Sequence, residues 1–114
     1  MQGLNYKNIA FSVIFALVCL ISVCFFWRET FLLTMILLII SGIGLYKWRN
    51  KETIVLFAIS GILGIITEST AVYFGAWAYA SPDFVGIPYW LPVLWGNASM
   101  FIYQIAIEIR NLRL

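Results

Sequence analysis

Two apolar runs decide the fold: Ile9-Ala-Phe-Ser-Val-Ile-Phe-Ala-Leu-Val-Cys-Leu-Ile-Ser-Val-Cys-Phe-Phe-Trp27 and Phe31-Leu-Leu-Thr-Met-Ile-Leu-Leu-Ile-Ile-Ser-Gly-Ile-Gly-Leu-Tyr46, separated only by Arg28-Glu29-Thr30. Neither run carries a charge. Each approaches the roughly 20 residues that a helix needs to cross about 30 Å of hydrocarbon. The polar residues between them leave room for a tight turn, so the pair reads as a helical hairpin in a bilayer. Outward from this hairpin, two further apolar segments run from about Thr53 to Phe74 and from about Trp90 to Ile109. The expected fold is all-α: a four-transmembrane-helix bundle forming a single integral membrane domain. Its outer loop, Gly75 to Tyr89, is aromatic and contains glycine and proline.

Composition agrees. The chain of 114 residues is 63% hydrophobic and 11% charged, against about 45–50% and about 25% in soluble domains. A water-soluble globule of this size has too little interior to hide that surface. Disorder is excluded by an aromatic content of 18%, since disordered chains are poor in aromatics. A net charge of +2 without a basic run offers no surface that tracks phosphates, so no nucleic-acid partner is expected. Histidine is absent and no Cys/His cluster exists, so neither a metal site nor another cofactor is expected. Cys19 and Cys24 stand about 140° apart on a helix and read as small buried hydrophobes that do not bridge. Lys7 before the first run suggests a signal peptide, yet no small-x-small site follows and the run is long for a signal core. It reads as a retained helix.

Charge sets the expected orientation. With four spans, Lys7, Lys47, Arg49, Lys51, Arg110 and Arg113 share one side, and only Arg28 lies on the other. The positive-inside rule then puts both termini in the cytoplasm of a multi-pass protein of the inner or plasma membrane. Aromatics are skewed the other way: Tyr73, Phe74, Trp77, Tyr79, Phe84, Tyr89, Trp90 and Trp95 gather around the outer loop. They read as an interfacial belt, or as the mouth of a pocket for an apolar or cationic ligand.

Ionisable residues inside a membrane are costly and are functional candidates by default. Glu68 is the one that fits, roughly 22 Å along its helix from Thr53 and below the aromatic loop. Gly61, Gly64, Glu68, Ala71 and Gly75 recur at steps of 3, 4, 3 and 4, a stripe of small residues that suits close helix packing and that Glu68 interrupts. Polar residues on the other helices form matching stripes: Asn97, Gln104 and Glu108; Thr34, Ser41 and Trp48; Ser12 and Cys19 with Ser22 one turn on. These stripes are expected to line the bundle interior. Asn97 is the expected partner of Glu68. Glu108, close to Arg110, reads as half of an interfacial ion pair, and Asp83 as a turn cap or a second acid at the mouth.

The succession Glu68, Gly75, Trp77, Tyr79, Gly86-Ile87-Pro88 and Trp95 resembles a motif of membrane carotenoid-modifying enzymes. These are the carotenoid hydratases of the bisanhydrobacterioruberin type and the heterodimeric, small-subunit lycopene cyclases. The similarity runs from Gly61 to Trp95. It implies acid-catalysed protonation of a polyene double bond, with Glu68 as the acid and Trp77 and Tyr79 as the loop aromatics. The chain departs from the cyclases after Pro88, where Tyr89 and Trp90 replace an acidic pair, which leaves hydration, isoprenoid binding without turnover, or a diverged function. In this reading Glu68 is a general acid, and Trp77, Tyr79 or Trp95 steadies positive charge through its ring face. Asn97 and Gln104 line the substrate. An apolar isoprenoid would enter from the bilayer, and the pocket would be completed by a homo-oligomer or a partner membrane subunit. Two other classes compete: a dimeric proton-coupled small-molecule transporter, and an accessory subunit packed on a larger partner.

Overall fold

The computed structural model describes residues 4–112. Arg113, one of the basic residues that orient the chain by sequence, lies outside the described residues. Four helices follow in order: α1 (Tyr6–Phe26), α2 (Thr30–Lys47), α3 (Lys51–Tyr73) and α4 (Trp90–Arg110). α1 begins earlier than its apolar run because Asn5 caps it, its Oδ1 accepting from Asn8 N at 3.1 Å. Asn50 caps α3 in the same way, accepting from Thr53 N at 2.8 Å. Each cap satisfies a backbone donor that the first turn leaves without a partner.

By length and composition α1, α2 and α3 are able to cross a membrane. α4 is the exception, because Asn97, Ser99, Gln104 and Glu108 interrupt its apolar character. It is also the most enclosed helix, burying Trp90, Leu91, Gly96, Asn97, Met100, Gln104 and Glu108. The two properties have one cause. α4 packs against all three other helices, so its polar side chains meet protein where a peripheral helix would meet lipid. α1 and α2 also pack on each other, whereas α3 leans on α4 and makes no comparable contact with either. The molecule is therefore a three-helix core with a fourth helix laid along its central member. Its long axis of 48 Å exceeds the roughly 30 Å of a hydrocarbon core.

The core is both apolar and polar. Leu33, Leu37 and Met100 are fully enclosed, and the rings of Phe11 and Phe15 meet Trp48 edge-on with centroids 5.2 Å away. Gly44 permits this packing, since a Cβ there would lie 2.8 Å from the Phe15 ring. The polar stripes of α1 and α2 turn inward: Ser12, Cys19, Ser22, Ser41 and Trp48 are all buried. Ser12 and Ser22 donate to the carbonyls of Asn8 and Val18 at 2.7 Å, which satisfies a hydroxyl within its own helix. Cys24 departs from the expectation of two buried thiols. Cys19 is buried and Cys24 exposed, because the angle between them puts Cys24 on the outer flank of α1. α3 buries only Thr53 and Gly64 and turns Ile54, Ile59, Ile62 and Ile66 outward, a flank that suits lipid better than water.

Candidate functional site

Glu68 stands on the last turns of α3, half-buried, and three aromatic side chains converge on its carboxylate. Trp77 Nε1 donates to Oε1 at 3.0 Å, Tyr79 OH donates to the same oxygen at 2.5 Å, and Trp95 Nε1 donates to Oε2 at 3.3 Å. Trp77, Tyr79 and Trp95, singled out in the sequence as ring faces, thus act first through their polar edges. Among the described residues no lysine or arginine joins the cluster, so neutral donors alone hold the acid.

Local sequence builds this cage. Gly64, one turn before Glu68, is where the Trp95 indole lies, because a Cβ there would come within 2.5 Å of the ring. Gly61 similarly faces the Pro92 carbonyl, 3.3 Å from where a Cβ would sit. The loop aromatics arrive by a different device. α3 ends in a paired C-terminal turn: Gly75 N donates to Val72 O at 3.1 Å and Ala76 N to Ala71 O at 2.9 Å. Gly75 adopts a φ of 81°, the left-handed conformation this motif requires. The chain reverses there and carries Trp77 and Tyr79 back over Glu68. By spacing alone Gly75 continues the packing stripe; in the structure it lies beyond the helix, with nothing near its Cβ position, and acts as the stop signal. Ala71 remains on α3, half-buried.

No family model, curated protein or solved structure matches this chain. Its chemistry is therefore read from the geometry. The Tyr79 phenol is held protonated well above its ordinary range, by burial first and then by the hydrogen bond and negative charge of Glu68. The Tyr79 ring also meets Trp90 edge-on, centroids 6.5 Å away. Beside the cage, a groove of about 420 Å³ opens between α3 and α4, with Ser60, Leu94, Ser99 and Ile102 along it. Trp95 is shared. It walls the groove and donates to Glu68.

Asn97 and Gln104 do not belong to this cage. Asn97 faces α1 and α2, where Ser41 Oγ lies 2.6 Å from its Oδ1 and Cys19 Sγ lies 3.5 Å from its Nδ2. The expected pairing with Glu68 fails because Asn97 and Trp95 leave α4 in different directions, and only Trp95 faces α3. Gln104 Oε1 accepts from Asn8 Nδ2 at 3.1 Å, near the opposite end of α4. Glu108 joins it there and is buried. It accepts from Asn5 N at 2.8 Å and from Asn8 Nδ2 at 2.9 Å. The expected ion pair with Arg110 is replaced by this network, since Glu108 turns into the bundle and Arg110 away from it. Trp48 completes the network by donating to Asn8 Oδ1 at 3.0 Å. Asn5 is legible in the sequence as a cap, but no local signal shows that the Asn8 side chain reaches Gln104, Glu108 and Trp48. Asp83 is a turn cap: it accepts from Tyr89 N at 3.0 Å and from Thr30 Oγ1 at 3.1 Å, fastening the outer loop to the starts of α4 and α2.

Proposed function

We propose that this chain is a four-span membrane protein, with both termini cytoplasmic, that takes an apolar isoprenoid-like lipid from the bilayer and protonates one of its double bonds through Glu68. The observation that carries the reading is the double role of Trp95, which walls an open groove and reaches the Glu68 carboxyl through a long Nε1–H···Oε2 bond of 3.3 Å. An apolar chain lying along α3 and α4 would bring a double bond to the edge of the cage. The Glu68 proton adds to one carbon, leaving a cation on the other; water adds to that cation and returns a proton to the carboxylate. Atoms and charge balance without metal or cofactor. Trp77, Tyr79 and Trp95 orient the acid, and the ring faces steady the cation. Trp77, the most exposed of the three, marks the aqueous end of the cage, where Glu68 would regain its proton from solvent. A second copy or a partner subunit covering the groove would exclude bulk water.

The test compares lipid extracts of cells with and without the protein. A product heavier by one water, lost in Glu68→Gln, supports the reading. If Glu68→Gln instead abolishes proton-coupled uptake of a small molecule in vesicles while extracts are unchanged, the chain is a transporter. Silence in both assays, with a membrane protein that co-purifies in stoichiometric amount, assigns an accessory subunit. Orientation is tested by single cysteines in a Cys19- and Cys24-free background: a cysteine at Lys51 should react from the cytoplasmic side and one at Ser81 from the other.

A further inference from the structure

A second groove lies across the Leu94 and Ala98 ridge of α4 from the first, between α4 and α1. It encloses about 270 Å³, near the lower end for small-ligand pockets. Phe15, Cys19 and Val23 wall it from α1, and Leu94 and Phe101 wall it from α4. The protonation of a lipid at Glu68 makes no use of it. The walls are apolar, but Asn97 lies at the floor.

Asn97 is 1% exposed, and its amide is satisfied unevenly. The oxygen has Ser41 Oγ at 2.6 Å. The nitrogen has only Cys19 Sγ at 3.5 Å and Leu37 O at 3.4 Å. Sulfur is a weak acceptor, and 3.4 Å lies beyond the usual N–H···O range. Leu37 O is also in use, accepting the backbone N–H of Ser41 within α2. Anchored through its oxygen, the amide turns an N–H towards Cys19, itself a groove wall. A buried donor with poor partners gains from any better acceptor that reaches it, and gains most in low-dielectric surroundings.

We propose that the groove between α1 and α4 binds a neutral, apolar molecule carrying a carbonyl oxygen, which enters from the lipid and accepts an N–H of Asn97. The apolar walls select the body of the ligand. A carbonyl fits the floor better than a hydroxyl because a hydroxyl brings a donor of its own, for which the floor offers only sulfur and a carbonyl already in use. A charged ligand is excluded because no lining residue carries a charge. This site is independent of Glu68.

The experiment uses the full chain in lipid nanodiscs and a long-chain ketone bearing a diazirine. Photolabelling should concentrate on the α1 segment from Phe15 to Val23 and the α4 segment from Leu94 to Phe101. Unlabelled ketone should compete about fivefold better than the alkane of equal length, the value of one net hydrogen bond. Ala98→Phe, which fills the rim without touching the amide, should remove the labelling. Asn97→Leu should abolish the preference for ketone over alkane. Glu68→Gln should leave the labelling intact, so failure at one site is told apart from failure at the other. Labelling spread evenly over the lipid-facing residues of every helix, or equal competition by the alkane, overturns the proposal.

Discussion

A glycine and a phenol decide whether Glu68 is held. Gly64 is the seat of Trp95, and the first atoms a Cβ would meet there belong to the rigid indole rather than to the end of a flexible chain. Gly64→Ala should therefore push Trp95 off its seat and lengthen its bond to Glu68. Overpacking of this kind costs about 1–3 kcal/mol; thermal unfolding should show the loss, and indole emission should shift as the Nε1 bond weakens. Tyr79 gives a test by pH. Burial and Glu68 raise its proton affinity in the folded state, so the stability it contributes is complete below the ordinary phenol range. That stability is lost only as pH climbs through the raised value. In an ultraviolet titration of the folded protein, one of the six phenols should ionise only above the ordinary phenol range. Tyr79→Phe should delete the lagging phenol, and a titration unchanged by that substitution would disprove the assignment.

At the scale of the element, the loop from α3 to α4 is positioned by two left-handed turns. Gly75 makes the first, and Gly75→Ala should cost about 1–2 kcal/mol, the penalty of a Cβ in that conformation. The second is a two-residue hairpin, in which Phe84 and Ile87 exchange backbone bonds of 3.0 and 2.8 Å around Val85 and Gly86. Both central residues have positive φ, 42° at Val85 and 80° at Gly86. Asparagine is the usual first residue of such a turn, and a β-branched residue there is strained. Val85→Asn should accordingly stabilise the protein, by about 0.5–1 kcal/mol in chemical denaturation. Gly86 has a further reason to be glycine, since a Cβ would stand 2.7 Å from Val72. If Val85→Asn lowers stability, the hairpin has a different geometry in the membrane.

For the molecule as a whole, the sequence made the helices legible because apolar length is a local property. It made the interior stripes legible because Ser12, Cys19, Ser41, Asn97 and Gln104 repeat with the helical period. It left the pairing of helices unresolved, since a polar stripe says that a side chain faces inward and not which neighbour it meets. Asn97 therefore meets Ser41 and Cys19 rather than Glu68, Glu108 meets Asn5 and Asn8 rather than Arg110, and Trp95 finds Glu68 through a glycine seat that becomes visible only once α3 lies on α4. That arrangement sets the order of stability. α1, α2 and α4 hold one another, while α3 rests on α4 at close approaches: Gly61 to Pro92, Gly64 to Trp95, and Phe57 to Gly96, where a Cβ would lie 2.6 Å from the Phe57 ring. The Glu68 cage ties α3 to both the outer loop and α4, so it acts as a clasp on the helix that has one helical neighbour and buries only Thr53 and Gly64. Regions with few buried contacts open first, and hydrogen exchange in micelles should find the amides of α3 less protected than those of α4. Glu68→Gln, which puts an amide donor where the cage of Trp77, Tyr79 and Trp95 needs an acceptor oxygen, should speed exchange along α3 and the loop while leaving the network of Asn8, Gln104 and Glu108 protected. Equal acceleration in all four helices would mean that the bundle opens as one unit and that the clasp is no local device.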